Sequence, residues 1–249
     1  MTEFTWPHGE EVAVSLRFDD GTEQHRTIVA PLLSSYGLNG TFYVTPQGSE
    51  EAWRQRAHQW QAVLDAGHEI GNHSFSHPAP AALSGELDSN TYESMTLEQY
   101  AADILEAHRR LELAFGSRSW TYCYPCYGTD VGIGAERQSV IPFISRHFSA
   151  ACIGSEVTRP YNVPGICDLH ALMSIHAEFL SGAELIGHVE RARQSRRWAI
   201  FTFHGIGDGH IPVARDEFEE LLRYLSDRRT AVWTAPICAV AEHIQSCRR

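Results

Sequence analysis

The sequence has no long hydrophobic run and few positive charges. No stretch of its 249 residues approaches the roughly 18 consecutive apolar residues that a membrane-spanning helix needs. Residues 1–18 carry Glu3, Glu10 and Glu11, and they lack both the basic start and the apolar segment of a secretory leader. We therefore expect a soluble cytoplasmic protein with reduced thiols. The formal net charge of −11 argues against a nucleic acid or an anionic membrane as partner.

Internal repeats, low-complexity segments and linker-like breaks are also missing, so we predict one domain over residues 1–249. With 43% hydrophobic residues the chain can bury a substantial core. Predicted strands alternate with predicted helices, which indicates an α/β protein with a parallel sheet. About seven β/α units fit this length, which favours one barrel over two domains.

The six cysteines include only one closely spaced pair, Cys123 and Cys126. A structural zinc site would need a second pair. A thioredoxin-like site would need a helix directly after the first cysteine, whereas residues 127–130 read as a loop. We therefore predict that these two thiols serve packing, with redox chemistry as the weaker alternative.

Hydrophobic periodicity and turn residues locate the predicted elements along the chain. The predicted strands are 12–16, 41–45, 68–70, 120–124, 147–153, 198–203 and 231–233. The predicted helices are 24–36, 51–66, 97–115, 135–146, 182–195, 213–228 and 236–247. Residues 78–92 read as a loop or insertion, residues 154–165 have no readable pattern, and residues 170–176 alternate only weakly.

Two adjacent aspartates follow the first predicted strand. Asp19 and Asp20 come where the alternating run 12–16 ends, and Gly21 after them permits a sharp turn. Asp and Gly are common turn formers, so a simple turn is the alternative interpretation. In α/β proteins, however, functional side chains gather at the carboxyl ends of strands.

Two histidines follow another short predicted strand. His73 and His77 are four residues apart, and the flanking Gly71 and Pro78 disfavour a long helix. We predict a tight loop in which both imidazoles reach one ion. With the Asp20 carboxylate they make a three-ligand set that leaves positions for water and substrate. This set suits one divalent ion, Zn²⁺ first and Co²⁺ or Ni²⁺ as alternatives, and it also serves non-haem iron oxygenases.

A second carboxylate and a third histidine favour hydrolysis over oxygenation. Asp19 does not need to bind the same ion as Asp20, and it can act as a general base for metal-activated water. An oxygenase has no need of such a base. His204 follows the apolar run 198–203 and is the candidate general acid, because a protonated imidazole can donate to a leaving nitrogen or oxygen. A histidine that only caps the sheet is the alternative.

In this order, these segments resemble the motifs of the polysaccharide deacetylase family. Segment 18–21 is similar to its first motif, segment 73–77 to its His-Ser/Thr-x-x-His metal motif, and segment 201–204 to its late motif. The resemblance spans residues 12–244 and implies a distorted (β/α)₇ barrel. The roles that it implies are general base for Asp19, metal ligand for Asp20, His73 and His77, and general acid for His204.

The third motif of the family, Arg-Pro-Pro-Tyr-Gly, is matched only in part, by residues 124–128. The resemblance implies that the backbone N–H of Tyr127 helps hold the oxyanion. Tyr124 replaces the arginine that steadies the base. Arg17 lies two residues before Asp19, so both side chains can face the same side of an extended strand, and Arg17 can supply the missing charge. The alternative is that Arg17 pairs elsewhere or points outward.

The fourth motif, an aspartate that orients the acid histidine, has only a faint counterpart. Asp168, in the segment Cys-Asp-Leu-His at 167–170, is the candidate.

The predicted function is metal-dependent hydrolysis of an amide, with an N-acetyl amino sugar or its oligomer as substrate. One alternative is a hydrolase of a small cytosolic amide, cyclic imide or ureide, which the missing arginine and the missing leader would suit. Another is a barrel that binds carbohydrate without turning it over. The presence of all five predicted metal and acid–base groups argues against this second alternative.

Overall fold

A computed structural model describes residues 4–155 and 160–248 of the chain. The strands are β1 (Val12–Phe18), β2 (Thr41–Val44), β3 (Glu69–Asn72), β4 (Thr121–Cys123), β5 (Asp130–Val131), β6 (Gln138–Ser139), β7 (Ala150–Cys152), β8 (Tyr161–Asn162), β9 (Ile175–His176), β10 (Trp198–Phe203) and β11 (Val232–Thr234). The α-helices are α1 (Ala30–Ser35), α2 (Glu50–Asp65), α3 (Ala81–Ser84), α4 (Leu97–Phe115), α5 (Ile141–His147), α6 (Gly182–Gln194), α7 (Arg215–Asp227) and α8 (Ile237–Cys247). None of the helices in this part of the chain is both long enough and apolar enough to cross a membrane.

Within the described residues, one curled sheet runs in the order β7-β4-β3-β2-β1-β10-β8, and helices flank it. Its neighbours pair in parallel, except that β8 is antiparallel to β10. The central strand β1 pairs with β10 along one edge, while β11 and β2 divide its other edge between them. The carboxyl ends of the parallel strands therefore meet on one side of the sheet, as the predicted parallel sheet requires.

The two faces of β1 explain how the sheet is packed. Val12, Val14, Leu16 and Phe18 all join the larger hydrophobic core, where Phe18 stacks on the rings of strands β2 and β10. Residues 13, 15 and 17 alternate with them and point to the opposite face, because successive side chains of a strand point to opposite faces. Every residue of β1 is buried. Arg17 is therefore a charged side chain inside the barrel.

Two predicted helices differ from the structure. The predicted helix 24–36 is divided into a π-helical turn, His25–Val29, followed by α1. The predicted helix 135–146 is wrong over its first half, which forms a 3₁₀ turn and strand β6, and α5 begins only at Ile141. Proline in the first turn of α5 starts this helix instead of interrupting it, since its missing N–H has no partner there anyway.

Two segments for which no strand or helix was predicted contain short elements. The predicted loop 78–92 contains the short helix α3. Of the unreadable stretch 154–165, residues 156–159 lie outside the described residues, and residues 161–162 form strand β8.

Candidate active site

Predicted site residues that follow three different strands meet at the carboxyl edge of the sheet. Asp19 and Asp20 come directly after β1, His73 after β3, and His204 after β10. The cavity that they surround has a volume of about 260 Å³. The predicted residues that line it are Asp19, Asp20, His73, His77, Tyr127 and His204.

Asp20, His73 and His77 form a cluster suited to a metal ion. Oδ1 of Asp20 lies 3.5 Å from Nε2 of His73 and 3.3 Å from Nε2 of His77, and the three ligand atoms lie within 4.8 Å of one another. Two ligands at about 2.1 Å from one ion are about 3.4 Å apart at a tetrahedral angle. The Nδ1–H of His73 donates to the carbonyl oxygen of Cys123 at 2.9 Å, so its Nε2 lone pair faces Asp20. The donor set and its spacing therefore fit a divalent cation.

Hydrogen bonds from side chains shape the loop that carries the two histidines. Asp103 on α4 accepts from the backbone N–H groups of Phe75 at 2.9 Å and Ser76 at 3.0 Å. Within the loop, Ser74 Oγ accepts from the N–H of His77 at 2.9 Å. Ser74 and His77 have φ values of 66° and 54°, which are uncommon for residues other than glycine. The loop is thus tight and not helical, as predicted, and Asp103 holds it in place.

A second set of ligand atoms, from Asp19, His73 and Cys123, also lies close together. It is a poorer cation site. Nη2 of Arg17 lies 2.8 Å from Oδ2 of Asp19, so a fixed positive charge already occupies this side. The Cys123 thiol donates to the same carboxylate oxygen at 3.4 Å and is not free as a thiolate ligand. The Asp20 cluster is therefore the better candidate.

Asp19 is a buried carboxylate with one oxygen bound and one free. Its side chain is 3% exposed, and that of Arg17 is fully buried. Burial alone would raise the pKa of Asp19, but the nearby charges of Arg17 and His73 lower it below its usual value. Oδ1 of Asp19 has no hydrogen-bond partner among the described residues. The structure thus places Arg17 against Asp19, the first of the two alternatives that the sequence left open.

The third-motif segment has a different geometry from the one the resemblance implies. Cys126 and Tyr127 have φ values of 44° and 61°, and the N–H of Tyr127 donates to the carbonyl oxygen of Tyr124 at 3.0 Å. This N–H is therefore engaged in a turn and is not free to hold an oxyanion. The Tyr124 hydroxyl donates to the carbonyl oxygen of His170 at 3.0 Å and does not contact Asp19. The Tyr127 ring lies beside the guanidinium of Arg17, 5.6 Å from its carbon.

His204 lies against a carboxylate that the sequence analysis missed. Nδ1 of His204 is 3.5 Å from Oε1 of Glu178, and both side chains are largely buried. Burial would lower the pKa of His204, but Glu178 and the two aspartates raise it above its usual value. The ring of His25 donates to the carbonyl oxygen of His204 at 2.6 Å and so fixes its backbone. This arrangement favours the protonated form of His204.

The structure does not place Asp168 beside His204. Its side chain is 60% exposed, and Oδ1 accepts from the backbone N–H of His170 at 2.8 Å. Asp168 therefore caps a surface turn, which is a common use of aspartate. Glu178 lies two residues after strand β9, and functional side chains tend to lie just after strands. Strand β9 has only two residues, however, and it gave no clear pattern in the sequence.

A family model and several solved structures are similar to this chain. The model, described as polysaccharide deacetylase, matches residues 8–134. No curated protein matches the sequence. A proposed polysaccharide deacetylase of Mycobacterium smegmatis is 16% identical, with a TM-score of 0.63 over 98% of this chain and 94% of that one. A variant of the peptidoglycan deacetylase PdaC of Bacillus subtilis is 17% identical, with a TM-score of 0.52 over 95% and 92%.

A third similar structure is described as a pseudoenzyme, from Bacillus anthracis. It is 12% identical, with a TM-score of 0.57 over 95% of this chain and 67% of that one. At these identities the similarity shows the fold, and it confirms the predicted distorted (β/α)₇ barrel.

Proposed function

The chain belongs to the polysaccharide deacetylase family, as its motifs indicated, and we propose that it is a metal-dependent hydrolase that removes the acetyl group from the nitrogen of an amino sugar or its oligomer. One observation carries this proposal. A single cavity is lined by a three-ligand cluster, a carboxylate with a free oxygen and a histidine that forms an ion pair with Glu178. Metal-dependent amide hydrolysis needs these three components: a metal site that polarises the acyl oxygen, a base and an acid.

Asp20, His73 and His77 would hold the metal, with zinc as the first choice for two imidazoles and one carboxylate and with Co²⁺ or Ni²⁺ as alternatives. Such an ion polarises the acyl oxygen and lowers the pKa of water to about 7. The Nδ1–H of His73 donates to the carbonyl of Cys123, which fixes the tautomer that presents Nε2.

Asp19 is proposed as the general base. Its Oδ2 is held by Arg17, so its Oδ1 is the atom that takes the proton of the attacking water. The positive charge of Arg17 keeps the carboxylate ionised despite its burial. Arg17 thus does the work that the family gives to an arginine at the place of Tyr124.

His204 is proposed as the general acid that protonates the leaving amine. The Glu178 carboxylate lies on the Nδ1 side of the ring, 3.5 Å away, which leaves Nε2 as the atom that donates. Because Glu178 and the aspartates raise the pKa of His204, the imidazolium is populated at the pH where Asp19 is already ionised. The two groups are therefore in opposite protonation states, as an acid–base pair requires.

The rival interpretation of a non-catalytic barrel needs a direct test, because the pseudoenzyme has the same fold. We expect Asp19→Asn and His204→Ala each to reduce kcat by about 10²–10⁴-fold. His58→Ala is the matched control, since His58 is exposed on α2, and it should leave kcat unchanged. Near-parental turnover in either site variant would refute the assigned roles.

The space next to the catalytic cavity favours an oligomer over a small cytosolic amide, cyclic imide or ureide. A second cavity of about 520 Å³ shares Cys126 and Tyr127 with the first. It is lined by polar groups such as Asp130 and Arg137, which suit hydroxyl-rich sugar units. Metal analysis, combined with an acetate-release screen over amino-sugar oligomers and a ring-opening screen over cyclic imides, separates these substrates.

We also propose that the protein works in a reducing compartment, as the predicted cytoplasmic location implies. All six cysteines are free thiols, and Cys123 and Cys152 are fully buried. Free thiols in this number favour such a compartment.

A further inference from the structure

Cys123 lies between the proposed metal ligand and the proposed base, and no motif assigns it a role. It is the last residue of β4, and it is fully buried. Its carbonyl oxygen accepts from Nδ1 of His73 at 2.9 Å. Its thiol donates to Oδ2 of Asp19, with Sγ 3.4 Å from that oxygen. A single residue therefore contacts both groups that must act together on the substrate.

The thiol completes the fixation of the Asp19 carboxylate. Oδ2 receives two donors, Nη2 of Arg17 at 2.8 Å and the S–H of Cys123, while Oδ1 receives none among the described residues. One donor fixes the position of one oxygen, but it leaves the carboxylate free to turn about its Cβ–Cγ bond. Two donors from different strands, β1 and β4, restrict this rotation.

We propose that Cys123 is a positioning residue for the base, which aims Oδ1 of Asp19 at the attacking water; this role rests on the proposed hydrolytic function. Cys123 does not touch the substrate in this proposal, and it acts only through Asp19. A thiol suits the place because it donates without adding a charge beside Arg17 and the metal ligands. It is also small enough to lie opposite Cys152 in the parallel register of β4 and β7.

The first test measures the hydrogen bond itself and needs no activity. The S–H stretching band of Cys123, identified by its loss in Cys123→Ser, should lie at lower frequency than that of Cys152, which bonds more loosely with the Tyr43 hydroxyl at 3.7 Å. In Asp19→Asn the Cys123 band should shift to higher frequency, because a neutral amide oxygen is a weaker acceptor than a carboxylate. A band that does not respond to Asp19→Asn would overturn the proposal.

The second test separates positioning from packing. Cys123→Ala should lower kcat by about three- to tenfold, the effect of one lost hydrogen bond, with KM and bound metal unchanged. Cys123→Ser keeps a donor and should retain kcat within about twofold of the parent. Cys238→Ala is the control, because it removes a half-buried thiol on α8 that lies near Glu69, at the amino end of β3, and it should leave kcat unchanged.

Either of two kinetic results would overturn the proposal: parental kcat in Cys123→Ala, or a loss in Cys123→Ser as large as that in Cys123→Ala, which would indicate packing alone. A failure of the proposed hydrolytic function can be distinguished from a failure of the proposed role of Cys123. The parent enzyme would then release no acetate from any substrate, while the infrared test would still decide whether Cys123 holds Asp19.

Discussion

Replacing Arg17 by Met leaves the Asp19 carboxylate buried without its cation. The two side chains are 0% and 3% exposed, and their charged atoms are 2.8 Å apart, so water cannot replace the lost partner. Methionine is unbranched and adapts to irregular cavities, and it preserves most of the packing. The variant therefore removes the guanidinium, with its ion pair to Asp19 and its hydrogen bond to the carbonyl oxygen of Ile153, and leaves most of the packing.

The expected loss of stability is large. Removing one partner of a buried ion pair destabilises a protein by about 3–5 kcal/mol. For a domain of this size, each kcal/mol lowers Tm by about 2–4 °C, so we expect Tm to fall by about 6–20 °C. Turnover should fall as well, because an isolated buried carboxylate becomes protonated and is lost as a base, while the metal ligands are untouched.

The pH dependence has a definite sign. Burial would raise the pKa of Asp19, and Arg17 more than compensates, so the pKa in the folded protein lies below the ordinary value. A group of this kind stabilises the fold above its unfolded pKa, and that contribution is lost as the pH falls through the folded pKa. The Tm difference between the parent and Arg17→Met should therefore be largest at neutral pH and narrow as the pH falls into the carboxyl range.

Two further variants show whether the pair itself is responsible. Arg17→Met combined with Asp19→Asn removes both charges and should recover most of the stability, which a double-mutant cycle measures as coupling. Arg54→Met is the control, because Arg54 pairs with Glu51 at 2.6 Å but is 72% exposed, and exposed pairs contribute little. If Arg17→Met lowers Tm no more than Arg54→Met, the assignment of Arg17 to Asp19 is refuted.

Two more predictions concern His204, the proposed acid, and the loop 73–77, which carries the two proposed histidine ligands. In Glu178→Gln the pKa of His204 should fall, since the carboxylate that outweighs the effect of burial is gone. As the proposed acid, His204 acts in its protonated form, so the basic limb of the pH profile of kcat should move to lower pH. An unmoved limb would contradict the pairing of His204 with Glu178. In Asp103→Ala the backbone N–H groups of Phe75 and Ser76 lose their acceptor. Metal affinity, measured by chelator competition, should then fall by about 10- to 100-fold. Unchanged affinity would show that the loop keeps its shape without Asp103.

Much of the fold could be predicted because its main elements have clear periodicity. Strand β10 was predicted at 198–203, as observed, since its residues are all apolar or β-forming. Helix α4 was predicted at 97–115, again as observed, because one face is apolar and Thr96 and Gln99 form a capping box. The prediction for segment 135–146 was wrong over its first half because strand β6 has two exposed residues that pair with β5, and exposed residues leave no hydrophobic pattern in the sequence.

Some residues of the candidate site could likewise be predicted from the sequence, and others could not. Asp20, His73 and His77 could be predicted to meet because each follows a strand of a parallel sheet, where carboxyl ends converge. Glu178 could not, since a two-residue strand gives too weak a pattern to locate its end. The engaged N–H of Tyr127 was also out of reach, because it depends on two successive residues with positive φ that are not glycine.

The position of Arg17 shows how the arginine of a motif can be replaced while a positive charge beside the aspartate is retained. A buried carboxylate that serves as a base, as proposed for Asp19, is kept ionised by a nearby positive charge. In this sheet the charge can come from any strand whose side chain faces the barrel interior. Arg17 alternates with Ala13 and Ser15 on that face of β1, and Asp19 follows at the end of the same strand. The burial of β1 on both faces then holds the guanidinium in place. The tyrosine at 124 is therefore free to bond with His170, and its presence is no evidence against a tuned base.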